Sequence, residues 1–470
     1  MHLRQFSIGL IFFFCAANTA YGAAYRTSEL SSEFKQAPPG DGSIAQLNER
    51  SIVYVTKESY GLAIRLFDLG TQTSKLLTKV EETSVLAASS ITAGEGYALL
   101  DILGRVYVTD GTTTGTKFIK DFGYGFAGNV GSEFSNLIES YVSGNVFYML
   151  VRNVDNDQNY APVLWRFDAG KSQLNKLNTD ALGIINGVTP NKGGTAGSVT
   201  LLTHNVGGGT NVWRNDSRGF DNFELRDSST FDLGDSLAFR NATSNSKGTF
   251  FCVIGYDQQG SYSADNSGLM RISNSGQLDK LTTGCSDTPV VVNDKLYFQR
   301  ISGQTRAIWE TNGNVGAMNR LLILNSSYPV NGYEGVQSIC AVQQHIYIQD
   351  YSYDQGDSDN APNRLFKIDL PSSSTEHVVQ RPLTGSLLSC SKTKAAISAS
   401  DLLSRKAFFL DGGTQKMRVI LPTDAVPDIE LWEYNEHYYS IVHLDSYRTS
   451  YFVKLKLTYP ELSALNLILD

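Results

Sequence analysis

The feature that most constrains this chain is a short hairpin signature that recurs along it: an aromatic residue followed three positions later by Asp or Asn. It occurs as Tyr107/Asp110, Trp165/Asp168, Trp213/Asp216, Trp309/Asn312, Phe366/Asp369 and Phe408/Asp411. The aromatics lie 58, 48, 96, 57 and 42 residues apart. The interval of 96 holds two units, the hidden one being Gly268–Ser273, where Met270 and Ser273 replace the markers. Degenerate copies at Leu62–Asp68 and Ser450–Leu457 bring the count to nine.

Each copy carries more than the hairpin. An alternating strand precedes it, as in Ser51–Val55, Val146–Leu150, Thr249–Val253, Lys295–Phe298, His345–Ile348 and His437–Ile441. A shorter small-residue run lies ahead of several, such as Ser338–Ala341 and Ser386–Cys390, and a third β-rich piece follows the turn, such as Lys117–Ile119. Four short strands in roughly 40 to 58 residues is the period of a propeller blade. No stretch sustains helical periodicity, which excludes α/β and helical-solenoid folds. The expectation is an all-β propeller of about nine four-stranded units closing one ring of eight or nine blades.

The best copy, Val108-Thr-Asp-Gly-Thr-Thr-Thr-Gly-Thr-Lys-Phe-Ile-Lys-Asp-Phe122, resembles the bacterial repeat with consensus Glu-Leu-Trp-x-x-Asp-Gly-Thr found in exported and surface proteins. Elsewhere only the aromatic and the polar turn residue persist, as in Leu164–Asp168 and Ile308–Asn312. The resemblance implies a propeller-like array and no common activity. Within a blade, the aromatic is read as filler between neighbouring blades and the Asp as acceptor for amides of its own turn. Trp432 stands outside this register.

Residues 1–22 carry Arg4, the apolar run Ile8–Ala17 and then Ala20-Tyr21-Gly22. That is the pattern of a secretory signal cleaved after Gly22. The division expected is a signal at 1–22, a polar lead-in at 23–42 and the propeller at 43–470. No later run reaches the 18 or so apolar residues of a membrane helix, so the chain is read as exported, periplasmic or secreted, and not membrane-spanning. Its charge of −8 contains no basic block, which argues against nucleic acid. Export leaves Cys252, Cys285, Cys340 and Cys390 where disulfides persist. Four cysteines allow three pairings. Cys340 with Cys390, on first strands of adjacent blades, and Cys252 with Cys285 are the candidate bridges, with buried free thiols as the alternative.

In four-stranded blades, the 2–3 connections and the crossovers from strand 4 to the next blade share one face of the disk, and the 1–2 and 3–4 connections share the other. The second kind reads as uniformly tight, as at Gly144-Asn145, Asn293-Asp294 and Gln343-Gln344. The first kind holds the extra length: Asn153–Pro162, Tyr256–Ser267, Asp350–Asn363, Gly123–Phe134 and Asn325–Gly335. Loops on a rigid scaffold are where binding concentrates. Tyr160, Tyr256, Tyr262, Tyr351 and Tyr353 fall in them, and tyrosine gives large contact area at low entropic cost. Asp155, Asp157 and Asn159, with Asp357 and Asp359, place oxygens at alternate positions, a spacing that suits calcium. They lack the glycine and closing glutamate of an EF-hand loop, so a solvated polar loop is the competing reading. No cofactor other than calcium is suggested.

Catalytic signatures are missing. No His-Glu-x-x-His, Gly-x-Ser-x-Gly or Gly-Lys-Ser/Thr sequence occurs, so no catalytic residue is assigned. The functional expectation is an exported, non-catalytic binding or scaffolding propeller that engages a protein or glycan of the bacterial cell envelope through its loop-rich face. The alternative is a carbohydrate-active hydrolase or lyase that uses acidic loop residues.

Overall fold

A computed structural model describes residues 24–34, 44–80, 89–126, 133–152, 162–179, 181–190, 197–204, 209–215, 222–229, 242–256, 262–285, 289–302, 305–325, 336–351, 363–390, 394–401, 404–411, 416–420, 426–444 and 449–458. These form six separate four-stranded antiparallel sheets, a small two-stranded hairpin and one eleven-stranded sheet. The six are blade one (residues 44–80), two (89–121), three (137–176), four (184–229), five (243–283) and six (290–325). The large sheet divides into three further sets of four. Blade seven begins at Val336–Val342, and strand Ser374–Cys390 serves as its last strand and then as the first of blade eight. Blade nine is Val426–Tyr434, His437–Leu444 and Thr449–Thr458, completed by Ala24–Phe34. The protein is a β-propeller.

The second strands read as unbroken apolar runs because both of their faces are covered. In Ser51–Glu58 of blade one, Val53 and Val55 join a core with Ala98, Leu100 and Ile102 of blade two. The alternate residues Ile52 and Tyr54 join Trp432, Tyr439, Ile441 and Phe452 of blade nine. Similar dry clusters join blades two and three, three and four, four and five, five and six, and six and seven. Each fully buried Val, Leu, Ile or Phe in them contributes about 1.5–3 kcal/mol.

Blade nine contacting blade one closes the ring. Phe67 stacks on Phe452 at 4.1 Å, and the Tyr439 hydroxyl donates to the Leu69 carbonyl at 2.9 Å. The segment expected to be a lead-in outside the ring belongs to it. Ala24–Phe34 pairs antiparallel with Thr449–Thr458 from Ala24↔Thr458 to Phe34↔Ser450, and its first three residues also pair in parallel with Arg418–Ile420 of blade eight. Its polar sequence suits an outermost strand, and a ring made from both chain ends leaves no unpaired last blade.

The signature aromatics mark a backbone feature as well. The pairing of third and fourth strands slips directly before the marker position at Ile64/Arg65, Val106/Tyr107, Val212/Trp213, Leu269/Met270, Ile308/Trp309 and Leu365/Phe366. Such a bulge adds local twist and turns the outer strand's edge away from a flat pairing surface.

Two expectations about connections need correction. Tyr256–Ser267 is largely strand, because Gly248–Tyr256 and Tyr262–Ser273 keep pairing past a bulge at Val253/Gly255, out to Tyr256↔Tyr262. The 1–2 and 3–4 connections are not uniformly tight either. In blade four the first strand ends at Pro190 and the second starts at Val199, while the third ends at Asn215 and the fourth starts at Phe223. Elsewhere these turns are short for a local reason. Asn293 and Asp294 both adopt positive φ (49° and 65°), as do Asn435 and Glu436 (47° and 61°), the mirror-image turn that matches strand twist in a two-residue hairpin.

Candidate functional site: the loop-rich face

The turn face is built by repetition. The Asp68 carboxylate accepts the amides of Gly70 (2.8 Å) and Thr71 (2.9 Å). Asp110 accepts from Thr112 (2.8 Å), Asp168 from Lys171 (3.2 Å), and the Asn312 side-chain oxygen from Asn314 (3.0 Å). Burial works against ionising Asp68, but the Arg50 guanidinium and the turn amides outweigh it and hold its carboxyl below the usual range. The aromatics pack at blade junctions, Trp165 between blades two and three, Trp213 between three and four and Trp309 between five and six. Trp165 meets Phe122 edge-on at 5.4 Å, and within their own blades the Trp213 indole N–H donates to Thr203 Oγ1 at 2.9 Å and Arg300 lies over Trp309. Trp432 is buried where blades nine and one meet.

The opposite face carries the extended hairpin of blade five and the small hairpin Tyr124–Phe126 with Glu133–Ser135 between blades two and three. Tyr256 and Tyr262 are brought directly opposite each other, and Tyr351 ends its strand opposite Asn363. Tyr160, Tyr353, Asp155, Asp157, Asn159, Asp357 and Asp359 lie outside the described residues. Among the described residues no group of three or more His, Cys, Asp and Glu side chains is placed to hold a metal ion.

Beneath this face the strands depart from their repeat. Counting from the second-strand residue that pairs with the turn acid (Ser51, Val146, His345 and Lys394, for example), the fourth residue onward is Val55, Leu150, Leu202 or Ile441 in blades one, three, four and nine. In blades five to eight it is Cys252, Gln299, Gln349 and Ser398, and in blade two it is Asp101. Gln299 and Gln349 are fully buried. Beside Gln349, Asp350 pairs across the blade junction with Arg306 of blade six at 3.1 Å, both side chains withdrawn from water. Cys252 bonds to Cys285, at the entry to blade six, with Cα atoms 5.5 Å apart. Cys340 and Cys390 are also bonded, with Cα atoms 5.9 Å apart. They lie on the first strands of blades seven and eight, one register position apart, since Cys340 opposes Tyr347 and Cys390 opposes Ala395.

Asp101 is the other polar member. Its carboxylate accepts the Gly104 amide at 2.8 Å and the Ser135 hydroxyl, and burial drives its pKa up to about 6 against these two hydrogen bonds. Sequence reasoning passed over Asp101, Gln299, Gln349, Arg306 and Asp350. The available signal was a polar residue breaking an apolar run at one register, as in Ala98-Leu-Leu-Asp101-Ile and His345-Ile-Tyr-Ile-Gln349-Asp350.

No protein-family model matches the sequence, and no curated protein matches it. Solved structures do. A eukaryotic initiation factor is 11% identical with a TM-score of 0.41, over 79% of this chain and 96% of that one. The tricorn protease is 10% identical with a TM-score of 0.35, over 79% of this chain, which spans 42% of the protease chain. Dipeptidyl peptidase 4 of Porphyromonas gingivalis is 9% identical with a TM-score of 0.39, over 85% and 55%. At this level of likeness none of them carries an activity over to this chain.

Proposed function

We propose that this chain is an exported, non-catalytic propeller that binds a protein or glycan of the cell envelope through its loop-rich face. The observation that carries the reading is the inequality of the two faces. One face repeats the same hydrogen-bonded turn from blade to blade. The other gathers the projecting hairpins, the opposed Tyr256 and Tyr262, and buried polar groups that replace aliphatic residues. Buried polar groups add less stability than the aliphatic residues they displace, and loops on rigid elements are suited to recognition.

The test is a pull-down from envelope extract with the wild-type protein and with the triple variant Tyr256→Ala/Tyr262→Ala/Tyr351→Ala. The reading predicts one stoichiometric partner that the variant loses while its melting temperature stays within a few degrees. Turnover of a glycan panel, abolished by substitutions in the acidic loops, would replace it with the carbohydrate-active hydrolase or lyase.

A further inference from the structure

The residue at the fourth register position of a second strand faces the chain that enters the next blade. In blade five that contact is covalent, through Cys252 and Cys285. In blade two the same register holds Asp101, and its partner, Ser135, lies in the corresponding crossover, just ahead of the first strand of blade three. The correspondence extends to the backbone: the Arg152 amide donates to Asn136 O at 2.8 Å, as the Ile301 amide donates to Gly284 O at 2.8 Å.

Everything around Asp101 converges on that crossover. The Phe122 amide donates to Gly104 O (2.8 Å) and the Asn136 amide to Gly123 O (3.1 Å). The Asn136 side-chain amide reaches Phe122 O at 3.0 Å, and the Leu137 amide donates to Ser135 Oγ at 3.0 Å. Ser135 thus accepts from the first residue of blade three and spends its one proton on Asp101. Gly104 turns at φ +80°, and a Cβ there would fall 1.9 Å from Gly123 O, so the turn and the crossover are in direct backbone contact.

We propose that Asp101 is a proton-set latch: it holds the chain entering blade three closed when protonated and loosens that junction when ionised. A carboxylate with 5% of its surface exposed has given up its hydration, and the water it regains on opening favours the open junction. Charged groups on the surrounding elements do not counter this. Arg105 pairs with Asp121 at 3.6 Å in the same blade, Glu139 accepts the Tyr141 hydroxyl, Arg152 is exposed, and Glu133 lies on the hairpin strand two residues before Ser135. The shift at Asp101 comes from burial against its two hydrogen bonds, with no charged neighbour contributing.

The test is amide hydrogen exchange of Phe122, Asn136 and Leu137 in the full protein, corrected for intrinsic rates. The latch predicts about a tenfold loss of protection between about pH 5 and pH 7.5, absent in Asp101→Asn. Ser135→Ala should move the midpoint upward, and Ser135→Thr should restore it. Wild-type protection that does not change with pH, or an unchanged pH dependence in Asp101→Asn, overturns the proposal. If Asp101→Asn does not fold, carboxyl-carbon NMR of the wild type decides: a buried Asp titrating between about pH 5 and 7 supports the latch, and its absence overturns it.

Discussion

The two faces of this ring are held by different chemistry. On the turn face one device is copied around the ring: a side-chain oxygen at the end of the third strand collects amides of its own turn, as at Asp68, Asp110, Asp168 and Asn312. On the loop-rich face three blade junctions each have a device of their own: a carboxyl–hydroxyl latch between blades two and three, a disulfide between five and six and a buried ion pair between six and seven. Repetition is what a structural requirement common to all blades produces. Individual solutions, some of them less favourable than the aliphatic residues used elsewhere, mark the face on which the blades have been differentiated.

The largest effect that tests this contrast comes from the ion pair. Arg306→Met leaves Asp350 buried without its partner and should cost about 3–5 kcal/mol, whereas Arg306→Met with Asp350→Leu should be near neutral. Denaturant melts of the two variants check this, and equal destabilisation would mean that the pair itself stabilises the junction. Next is Cys252→Ser with Cys285→Ser. Opening a bridge of sequence separation 33 should cost about 3–4 kcal/mol by loop-closure entropy, read in the same melts.

Asp101→Asn should act in the opposite direction. The folded-state pKa, about 6, lies above the ordinary 3.8, so the folded protein binds this proton more tightly and loses stability as pH rises from about 4 through 6. The asparagine lacks that loss. It should gain about 2 kcal/mol above pH 7, after allowing for one weakened hydrogen bond, and nothing near pH 4. Thermal melts across this range decide, and a gain that is the same at every pH would remove the titration from the account.

Turn-face changes should be the smallest and the most alike. Asp110→Ala and Asp68→Ala should each cost about 1 kcal/mol. Glu436→Gly should gain up to about 1 kcal/mol, since its φ of +61° suits glycine. A turn-face substitution that cost as much as Arg306→Met would erase the difference between the faces.

This contrast also explains what could be read from the sequence. The turn face is periodic, so the aromatic-to-Asp spacing marks six third strands and the unit length adds the degenerate copies Leu62–Asp68, Gly268–Ser273 and Ser450–Leu457, which fall within the strands Gly61–Asp68, Tyr262–Ser273 and Thr449–Thr458. The junction devices occur once each, and a single Gln or Asp inside an apolar run carries no period. Asp101 could be recognised only after strand pairing set it at the register of Cys252. The role of Ala24–Phe34 was hidden for a related reason. An outermost strand has a polar composition, and its partner lies at the far end of the chain, so local pattern could not distinguish it from a lead-in. Of the candidate site, Tyr256, Tyr262 and Tyr351 could be proposed from the extra length that the sequence places on one face, whereas the buried polar layer beneath that face needed three dimensions.

The most direct test of the division between the faces is quantitative binding, to two sets of variants matched for stability, of whatever partner the wild-type pull-down recovers. One set carries Tyr256→Ala, Tyr262→Ala and Tyr351→Ala. The other carries Asp68→Ala, Asp110→Ala and Glu436→Gly. A binding site on the loop-rich face predicts that the first set weakens binding at least tenfold and the second leaves it unchanged. Binding that survives the tyrosine substitutions and falls with the turn-face set would contradict it.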